Sequence, residues 1–391
     1  MKYIKKFETT AEYTAYIATD YAKPNVSYIT EGNGVEYNPL EPSQPNNIIT
    51  YNASSKLAET TSLWANGLHT NAFNTTIKSH TFENGVGTVE FNGDVTSVGN
   101  NAFYGASTTE VSLPNSVTTI GEYAFQNCYG LTSINIPDSV TTIGNGTFEY
   151  CRSLTSIVIP NSVTSIGNNA FYYCSGLTSC TIGSGVTTIG EYAFYYCSGL
   201  TSCTIGSGAI GSSAFYNCTS LTSCTIGSGV TSIGDSAFNT CRSLTSIDIP
   251  SSVTSIGSNA FSYCSGMTTA TINSGSIGNY AFSNCSGLTT CTIGNGVTTI
   301  GGGAFFYCTG LTTCTIGSGV TSIGDSAFSS CSGLTSITCN ATTAPTIQSS
   351  TFRGVKTSGT LTVPIGSSGY DVWMGTGNYY LGKYNWTKVE Q

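Results

Sequence analysis

The chain has 391 residues, of which only 8% are charged and 39% are hydrophobic. Its net charge is −8, and residues 100–340 contain eight acidic residues but only two basic ones, Arg152 and Arg242. Because no basic stripe could neutralise phosphates, nucleic acid is excluded as an expected partner, and anionic membrane surfaces are disfavoured for the same reason.

Residues 1–48 lie outside the regular part of the sequence, and we predict that they form a small N-terminal β module. Residues 24–29 and 35–38 flank the sequence Glu-Gly-Asn-Gly, which is typical of a hairpin. The lysine-rich start lacks the apolar run of roughly 7–15 residues that a secretory signal needs, and no stretch is long enough for a membrane span. We therefore expect no membrane insertion. Export would then follow one of three courses: a signal that has been removed, another export route, or release within a larger particle.

Residues 49–99 are predicted to form an irregular first cap, and residues 100–340 a repeat array. The strongest signal is a phenylalanine that recurs in steps of 21–24 residues, which indicates a repeat architecture. It occurs at Phe103, Phe125, Phe148, Phe171, Phe194, Phe215, Phe238, Phe261, Phe282, Phe305, Phe328 and Phe352.

One repeat unit, residues 154–174 with the sequence LTSIVIPNSVTSIGNNAFYYC, contains two extended pieces and a turn. Ile157 and Ile159 alternate with an outward valine, as in a half-buried strand, and Val163 and Ile166 form the second extended piece. A polar residue of the Asn168-Asn169 pair before the Ala-Phe pair is a candidate cap for a single helical turn. The equivalent candidates are Glu122, Glu191, Asp235 and Asp325.

Two units, at residues 208–211 and 275–278, lack two residues of the second extended piece. Both keep the first strand and the phenylalanine, so we predict tight turns on one face and no domain boundary. Residues 341–391 are predicted to form a C-terminal cap, which matters because open sheet edges invite aggregation.

The recurring SVTSIG…AF…C…LTSI unit resembles the BspA-type leucine-rich repeat of bacterial cell-surface proteins over roughly residues 86–340, and residues 360–373 resemble the closing cap of such proteins. The resemblance implies a right-handed solenoid of about 23-residue leucine-rich repeats with a parallel β-sheet face. It also implies a role in adhesion or host contact at the cell surface or after secretion. It implies no particular ligand, because the repeat residues are scaffold.

The sixteen cysteines occupy apolar positions of the repeat. Ten lie three residues after the repeat phenylalanine, five replace the strand isoleucine, and Cys339 takes the next inward position. Stacked units would hold neighbouring cysteines ~4.8 Å apart, whereas the Cβ atoms of a disulfide are nearer ~3.8 Å apart. We therefore predict reduced, buried thiols that act as small hydrophobes.

No cofactor, metal or catalysis is expected. Paired ligands such as C-x-x-C do not occur, and His69 and His80, interpreted as surface or cap residues, lie far along the chain from the cysteines. A glycoside hydrolase would need two carboxylates facing one cleft, for which Asp138, Glu149 and Glu191 are the candidates.

The outward strand positions hold serine and threonine in most units, as at Ser179 and Thr181. Such a hydroxyl ladder could bind sugars or order water as ice-binding surfaces do. The alternative is that small β-forming residues simply suit an exposed sheet.

Tyrosines cluster just after the repeat phenylalanine and in the neighbouring turn, and stacking would gather the earlier ones into one band. Tyrosine offers contact area and a hydroxyl at low entropic cost, which suits recognition; the alternative is that the rings fill gaps between turns. The candidate binding residues are Tyr123, Tyr150, Tyr172, Tyr173, Tyr192, Tyr195, Tyr196 and Tyr216, and the pattern recurs at Tyr263, Tyr280, Phe306 and Tyr307.

The sequence therefore predicts a non-catalytic adhesion or recognition protein whose partner is a host protein or a glycan. One alternative is a structural spacer that displays the N-terminal module on a cell surface or a phage-like particle. A second is a glycan-active enzyme. The identity of the ligand and the oligomeric state stay open.

Overall fold

The computed structural model describes residues 45–62, 65–377 and 379–391. Of the predicted N-terminal module only residues 45–48 fall within this part, and the predicted hairpin at residues 24–38 lies outside it. The described residues form twenty-five strands and a single helix, a short 3-10 helix at Leu381–Tyr384.

In chain order the strands are β1 (Ile48–Ala53), β2 (Glu59–Thr60), β3 (Leu68–His69), β4 (Ile77–Glu83), β5 (Val86–Phe91), β6 (Ser97–Val98), β7 (Thr108–Ser112), β8 (Thr119–Ile120), β9 (Ser133–Ile134), β10 (Thr142–Ile143), β11 (Ser156–Ile159), β12 (Ser165–Ile166), β13 (Ser179–Ile182), β14 (Thr188–Ile189), β15 (Ser202–Ile210), β16 (Ser223–Ile233), β17 (Ser246–Ile249), β18 (Ser255–Ile256), β19 (Thr269–Ile277), β20 (Thr290–Ile300), β21 (Thr313–Ile316), β22 (Ser322–Ile323), β23 (Ser336–Cys339), β24 (Thr360–Val363) and β25 (Thr387–Glu390).

Each repeat forms one coil, that is, one circuit of the chain around the solenoid axis, and two sides of the coil are parallel sheets. On the first side β11 pairs with β13, which places Ile157 beside Cys180. On the second side β12 pairs with β14, which places Ile166 beside Ile189. The alternation predicted for the first strand is confirmed, since Ile157 is buried while Val158 is 64% exposed.

The third side of each coil is a turn that carries the Ala-Phe pair. The backbone N–H of Phe171 donates to the carbonyl of Ala193 in the next coil (2.7 Å), so this side is also hydrogen-bonded from coil to coil. The twelve repeat phenylalanines stack in one buried column, with neighbouring ring centroids 4.8–5.8 Å apart. This column runs through the hydrophobic core along the length of the solenoid.

Several of the predicted cap residues bind the following coil. Asn168 Oδ1 accepts the backbone N–H of Glu191 (2.9 Å), and Asp235 Oδ1 accepts that of Ser258 (2.6 Å). We expected such side chains to cap a turn of their own coil. Because the coils are in register, the nearest unsatisfied N–H belongs to the neighbouring coil, and the cap holds two coils together.

The two shortened units differ from the tight turns expected of them. In β15 and β19 the first and second sides merge into one nine-residue strand. Each strand contains a glycine with positive φ, 94° at Gly208 and 89° at Gly275, where an L side chain would be strained. The phenylalanine column runs on through both coils, so the core is continuous there.

Aromatic residues close both ends of the core. At the start β1 pairs antiparallel with β5 and β7, and the ring of Phe73 meets Phe103 edge-on at 6.1 Å. At the end β23, β24 and β25 continue the first sheet, and Trp373 packs against Phe352 with ring centroids 5.3 Å apart.

All sixteen cysteines are free thiols, fifteen of them buried and Cys224 half-buried. The thiol of Cys174 donates to the carbonyl of Phe148 (3.1 Å), and the same contact recurs from coil to coil. Burial raises the pKa of Cys128 to about 12 and keeps the pKa of Cys151 well above its ordinary value. The thiols therefore belong to the core, in the apolar positions predicted for them.

Candidate binding surface

The candidate tyrosines lie on the turn side at three positions, which are two before, one after and two after the repeat phenylalanine. The first of these positions has positive φ from Asn101 to Ser326, and the last has it from Gly105 to Gly354, as at Tyr192 (56°) and Tyr196 (57°). This left-handed conformation costs an L residue about 1–2 kcal/mol relative to glycine, and Gly105 and Gly146 occupy it elsewhere. Since the backbone does not favour tyrosine here, the side chain must account for its presence.

Tyrosine rings in successive coils stack in two parallel columns. In one column the centroids of Tyr172 and Tyr195 are 5.1 Å apart and the planes differ by 2°. Tyr216 continues this column at 5.0 Å. In the other column Tyr173 and Tyr196 stack at 4.8 Å.

Seven of the eight predicted residues form one connected cluster of rings. Tyr150 joins it through Tyr173 at 5.5 Å, and Tyr192 meets Tyr195 edge-on at 5.4 Å. We call this cluster the tyrosine band; its members are Tyr150, Tyr172, Tyr173, Tyr192, Tyr195, Tyr196 and Tyr216. The ring of the eighth residue, Tyr123, instead covers Gly146, where a Cβ atom would lie 2.5 Å from its Cδ1.

The hydroxyls of the tyrosine band have no hydrogen-bond partner among the residues that the structure describes. The rings are half-buried, apart from that of Tyr192, which is 40% exposed. Burial, and then the neighbouring phenols, raise the pKa of Tyr195 to about 12, and the pKa of Tyr172 is also raised. The band therefore offers neutral phenols that can donate or accept hydrogen bonds along one edge of the solenoid.

Sequence reasoning missed the border of this surface. The guanidinium of Arg152 lies over the rings of Tyr129 and Tyr150, 5.5 Å from each centroid. Glu149 accepts a hydrogen bond from the amide of Gln126, and burial raises the pKa of its carboxyl. The sequence shows Arg152 only as an isolated charge, and Tyr129 falls outside the repeated tyrosine pattern because it lies four residues after its phenylalanine.

The hydroxyl ladder occupies a different side of the solenoid. Ser179 and Thr181 are exposed on the first sheet, in register with the equivalent residues of the next coil. One row nearer the turn, the hydroxyl of Thr178 donates to the carbonyl of Thr155 (2.9 Å), a bond that recurs along the array. The Thr178 row is exposed to solvent as well, but its hydroxyls also stabilise the stacking of the coils.

The two histidines lie in the first cap. His80 bridges the hydroxyl of Tyr51 (2.7 Å) and the carboxylate of Glu59 (2.9 Å), and burial lowers its pKa. Tyr51 is only 1% exposed, so this network stabilises the cap.

Within the described residues no three His, Cys, Asp or Glu side chains are grouped as metal ligands would be, and no helix could cross a membrane.

Parallel strands that recur about every 23 residues around a column of inward phenylalanine, leucine and isoleucine define a leucine-rich-repeat solenoid. The chain belongs to the BspA-type leucine-rich-repeat family, whose model matches in six copies over residues 75–201, 199–275 and 268–368. Proteins of this family are generally found at the bacterial cell surface.

Solved structures of bacterial leucine-rich-repeat proteins are similar to this chain. One from Bacteroides ovatus is 26% identical, with 80% of this chain and 90% of that one covered and a TM-score of 0.44. One from Eubacterium ventriosum is 25% identical (74% and 85% covered, TM-score 0.41), and a leucine-rich cell surface protein from Faecalibacterium prausnitzii is 26% identical (72% and 89% covered, TM-score 0.32). No curated protein matches the chain.

Proposed function

We propose that this protein is a non-catalytic extracellular adhesion or recognition protein that binds a host protein or glycan through the tyrosine band. One observation carries the proposal. Four of the seven tyrosines of the band stand at left-handed positions, which favour glycine or asparagine, and the hydroxyls of the band have no partner in the described chain. Tyr123 illustrates the gap-filling alternative, because its ring covers Gly146 of the next coil, whereas the rings of the band stack on one another.

Rings of this kind supply most of the energy in many recognition surfaces. Tyrosine is enriched among the residues that dominate interface energetics, because it combines a large apolar face with a polar tip. The rings of Tyr172, Tyr173, Tyr195 and Tyr196 already contact each other, so little side-chain freedom remains to be lost on binding.

The test is a variant of the full chain with Tyr172→Ser, Tyr173→Ser, Tyr195→Ser and Tyr196→Ser. Binding is measured on an array of mammalian glycans and on a panel of extracellular-matrix proteins. We expect the unaltered chain to bind at least one of these and the variant to lose that binding while its circular dichroism spectrum persists.

A matched control replaces four residues on the sheet side: Ser179→Ala, Thr181→Ala, Ser202→Ala and Thr204→Ala. We expect this control to bind as the unaltered chain does. Binding that survives the tyrosine changes but is lost in the control would transfer the function to the hydroxyl ladder. An unaltered chain that binds nothing would instead favour a spacer.

A further inference from the structure

A second feature of the turn side lies in later coils, apart from the tyrosine band. It is a pocket of about 280 Å³ lined by Arg242, Asn284, the rings of Tyr263 and Tyr307, and three hydroxyl side chains. Tyr263 is 51% exposed and Tyr307 50%, so the pocket opens directly to solvent. No residue of the tyrosine band contributes to it.

The pocket exists because one ring is missing from a column. Tyr263, Asn284 and Tyr307 are successive members of the column two residues after the phenylalanine, the position that Tyr173 and Tyr196 occupy in the band. There the rings stack at 4.8 Å. Here the short amide leaves the two rings about 10 Å apart, twice the strand spacing. The opening is therefore about one ring thick.

The cationic group of the pocket is the guanidinium of Arg242, and the residues that the structure describes do not pair it. Arg152 and Arg242 both follow the repeat cysteine, and the guanidinium of Arg152 lies over two tyrosine rings. Around Arg242 the equivalent positions hold Thr219 and Thr240, which carry no ring. In the described part of the chain its guanidinium has no carboxylate, aromatic or hydrogen-bond partner.

The remaining lining groups can both donate and accept hydrogen bonds. The amide of Asn284 and the hydroxyls of Ser265, Ser286 and Thr309 have no side-chain partner among the described residues. A ligand that fills the slot therefore meets two apolar ring faces, several neutral polar groups and one positive charge.

We propose that this pocket binds a pyranose that carries a carboxylate, such as a hexuronic or sialic acid unit of a glycan. The C–H face of the sugar would pack on the tyrosine rings, its hydroxyls would pair with the amide and hydroxyls, and its carboxylate would pair with Arg242. An aromatic side chain of a peptide would fill the slot but would use neither the polar groups nor the charge.

The test uses saturation-transfer NMR on the full chain with methyl β-glucuronide, the methyl glycoside of sialic acid, and methyl β-glucoside as the neutral counterpart. We expect at least one acidic sugar to bind about tenfold more tightly than the glucoside, because a charge-assisted hydrogen bond adds about that factor. Arg242→Gln should abolish the preference, whereas the matched control Arg152→Gln should leave it unchanged.

A second variant, Asn284→Tyr, tests the slot itself. The added ring would complete the column as in the band, so the fold should persist and binding of every sugar should be lost. The serine variant of the tyrosine band should still bind the acidic sugar, which separates this proposal from the previous one.

Three results would overturn the proposal. Equal affinity for glucuronide, sialoside and glucoside would remove the role of the charge. An equal loss in Arg152→Gln and Arg242→Gln would show a non-specific charge effect. Binding of N-acetyltyrosinamide, but of no sugar, would assign the slot to a peptide side chain.

Discussion

Phe194 and Tyr195 are neighbours in the chain, and each belongs to a column of stacked rings that crosses the same coils. The centroids of Phe171 and Phe194 are 4.8 Å apart with planes 6° apart, and those of Tyr172 and Tyr195 are 5.1 Å apart with planes 2° apart. Yet the phenylalanine column is fully buried and continues through every repeat unit, whereas the tyrosine column is half-exposed and ends after Tyr216. Stacking follows from coil spacing alone; exposure to water is what distinguishes the tyrosine column from the buried scaffold.

The largest effect expected from this difference is a loss of stability at alkaline pH, because the buried side also carries the thiols. Burial keeps the pKa of Cys151 and Cys197 well above the ordinary 9.0, so in the folded chain they stay neutral. The unfolded chain ionises them near pH 9, so their contribution is complete below that pH and is lost above it. At about pH 10 each such thiol lowers the free energy of unfolding by about 1.4 kcal/mol.

Urea unfolding at neutral pH and near pH 10 measures this loss. A matched control replaces Cys203 and Cys291 by isoleucine. Isoleucine is the residue found at the equivalent position of other coils, as at Ile157 and Ile247. The control should lose less stability with rising pH, by about the contribution of two thiols. A native chain with the same urea midpoint at both pH values would contradict the prediction.

The next effect compares the two columns directly. Phe194→Ala should lower the free energy of unfolding by about 3–5 kcal/mol, because it leaves a cavity in a close-packed core. Tyr195→Ala removes a ring of similar size from a half-exposed column and should cost about 1 kcal/mol. The urea midpoints of both variants measure the two losses of unfolding free energy. Similar losses would show that the tyrosine column is scaffold after all.

The smallest effect concerns the left-handed backbone. Ser236 has a φ of 54° at the position that Tyr192 and Tyr280 occupy in other coils. Ser236→Gly should raise the free energy of unfolding by about 0.5 kcal/mol, since relief of the strain exceeds the entropy of glycine. Thermal unfolding against the unaltered chain measures the gain. A loss of stability would mean that the position does not favour glycine, and the case for the tyrosines would weaken.

Much of the fold could be predicted because the same pattern of inward and outward residues recurs in every repeat unit. The inward positions of Ile157 and Ile159, the stacked phenylalanines and the slots of the cysteines all follow from periodicity and coil spacing. The family match confirms the class that this pattern predicts.

The remaining features depend on contacts between coils, which one coil's sequence does not display. Asn168 and Asp235 were expected to cap their own turns, but the next coil brings an N–H closer. The left-handed positions could have been inferred from the glycine, asparagine and tyrosine that alternate there. The absence of a partner for the Arg242 guanidinium in the described chain could not have been inferred, because it depends on which side chains flank Arg242 in adjacent coils.

The in-register coils also set the separation of the two proposed binding sites. The tyrosine band ends at Tyr216 and the pocket begins at Arg242, and both lie on the same edge of the solenoid. They lie in successive coils, and inserting coils between them would move one relative to the other in steps of about 4.8 Å. A polymeric ligand that reaches both would gain from their linkage only when its own repeat length matches a whole number of coils. Under the two proposals, the number of coils between the sites sets which ligand repeat lengths can bind both at once.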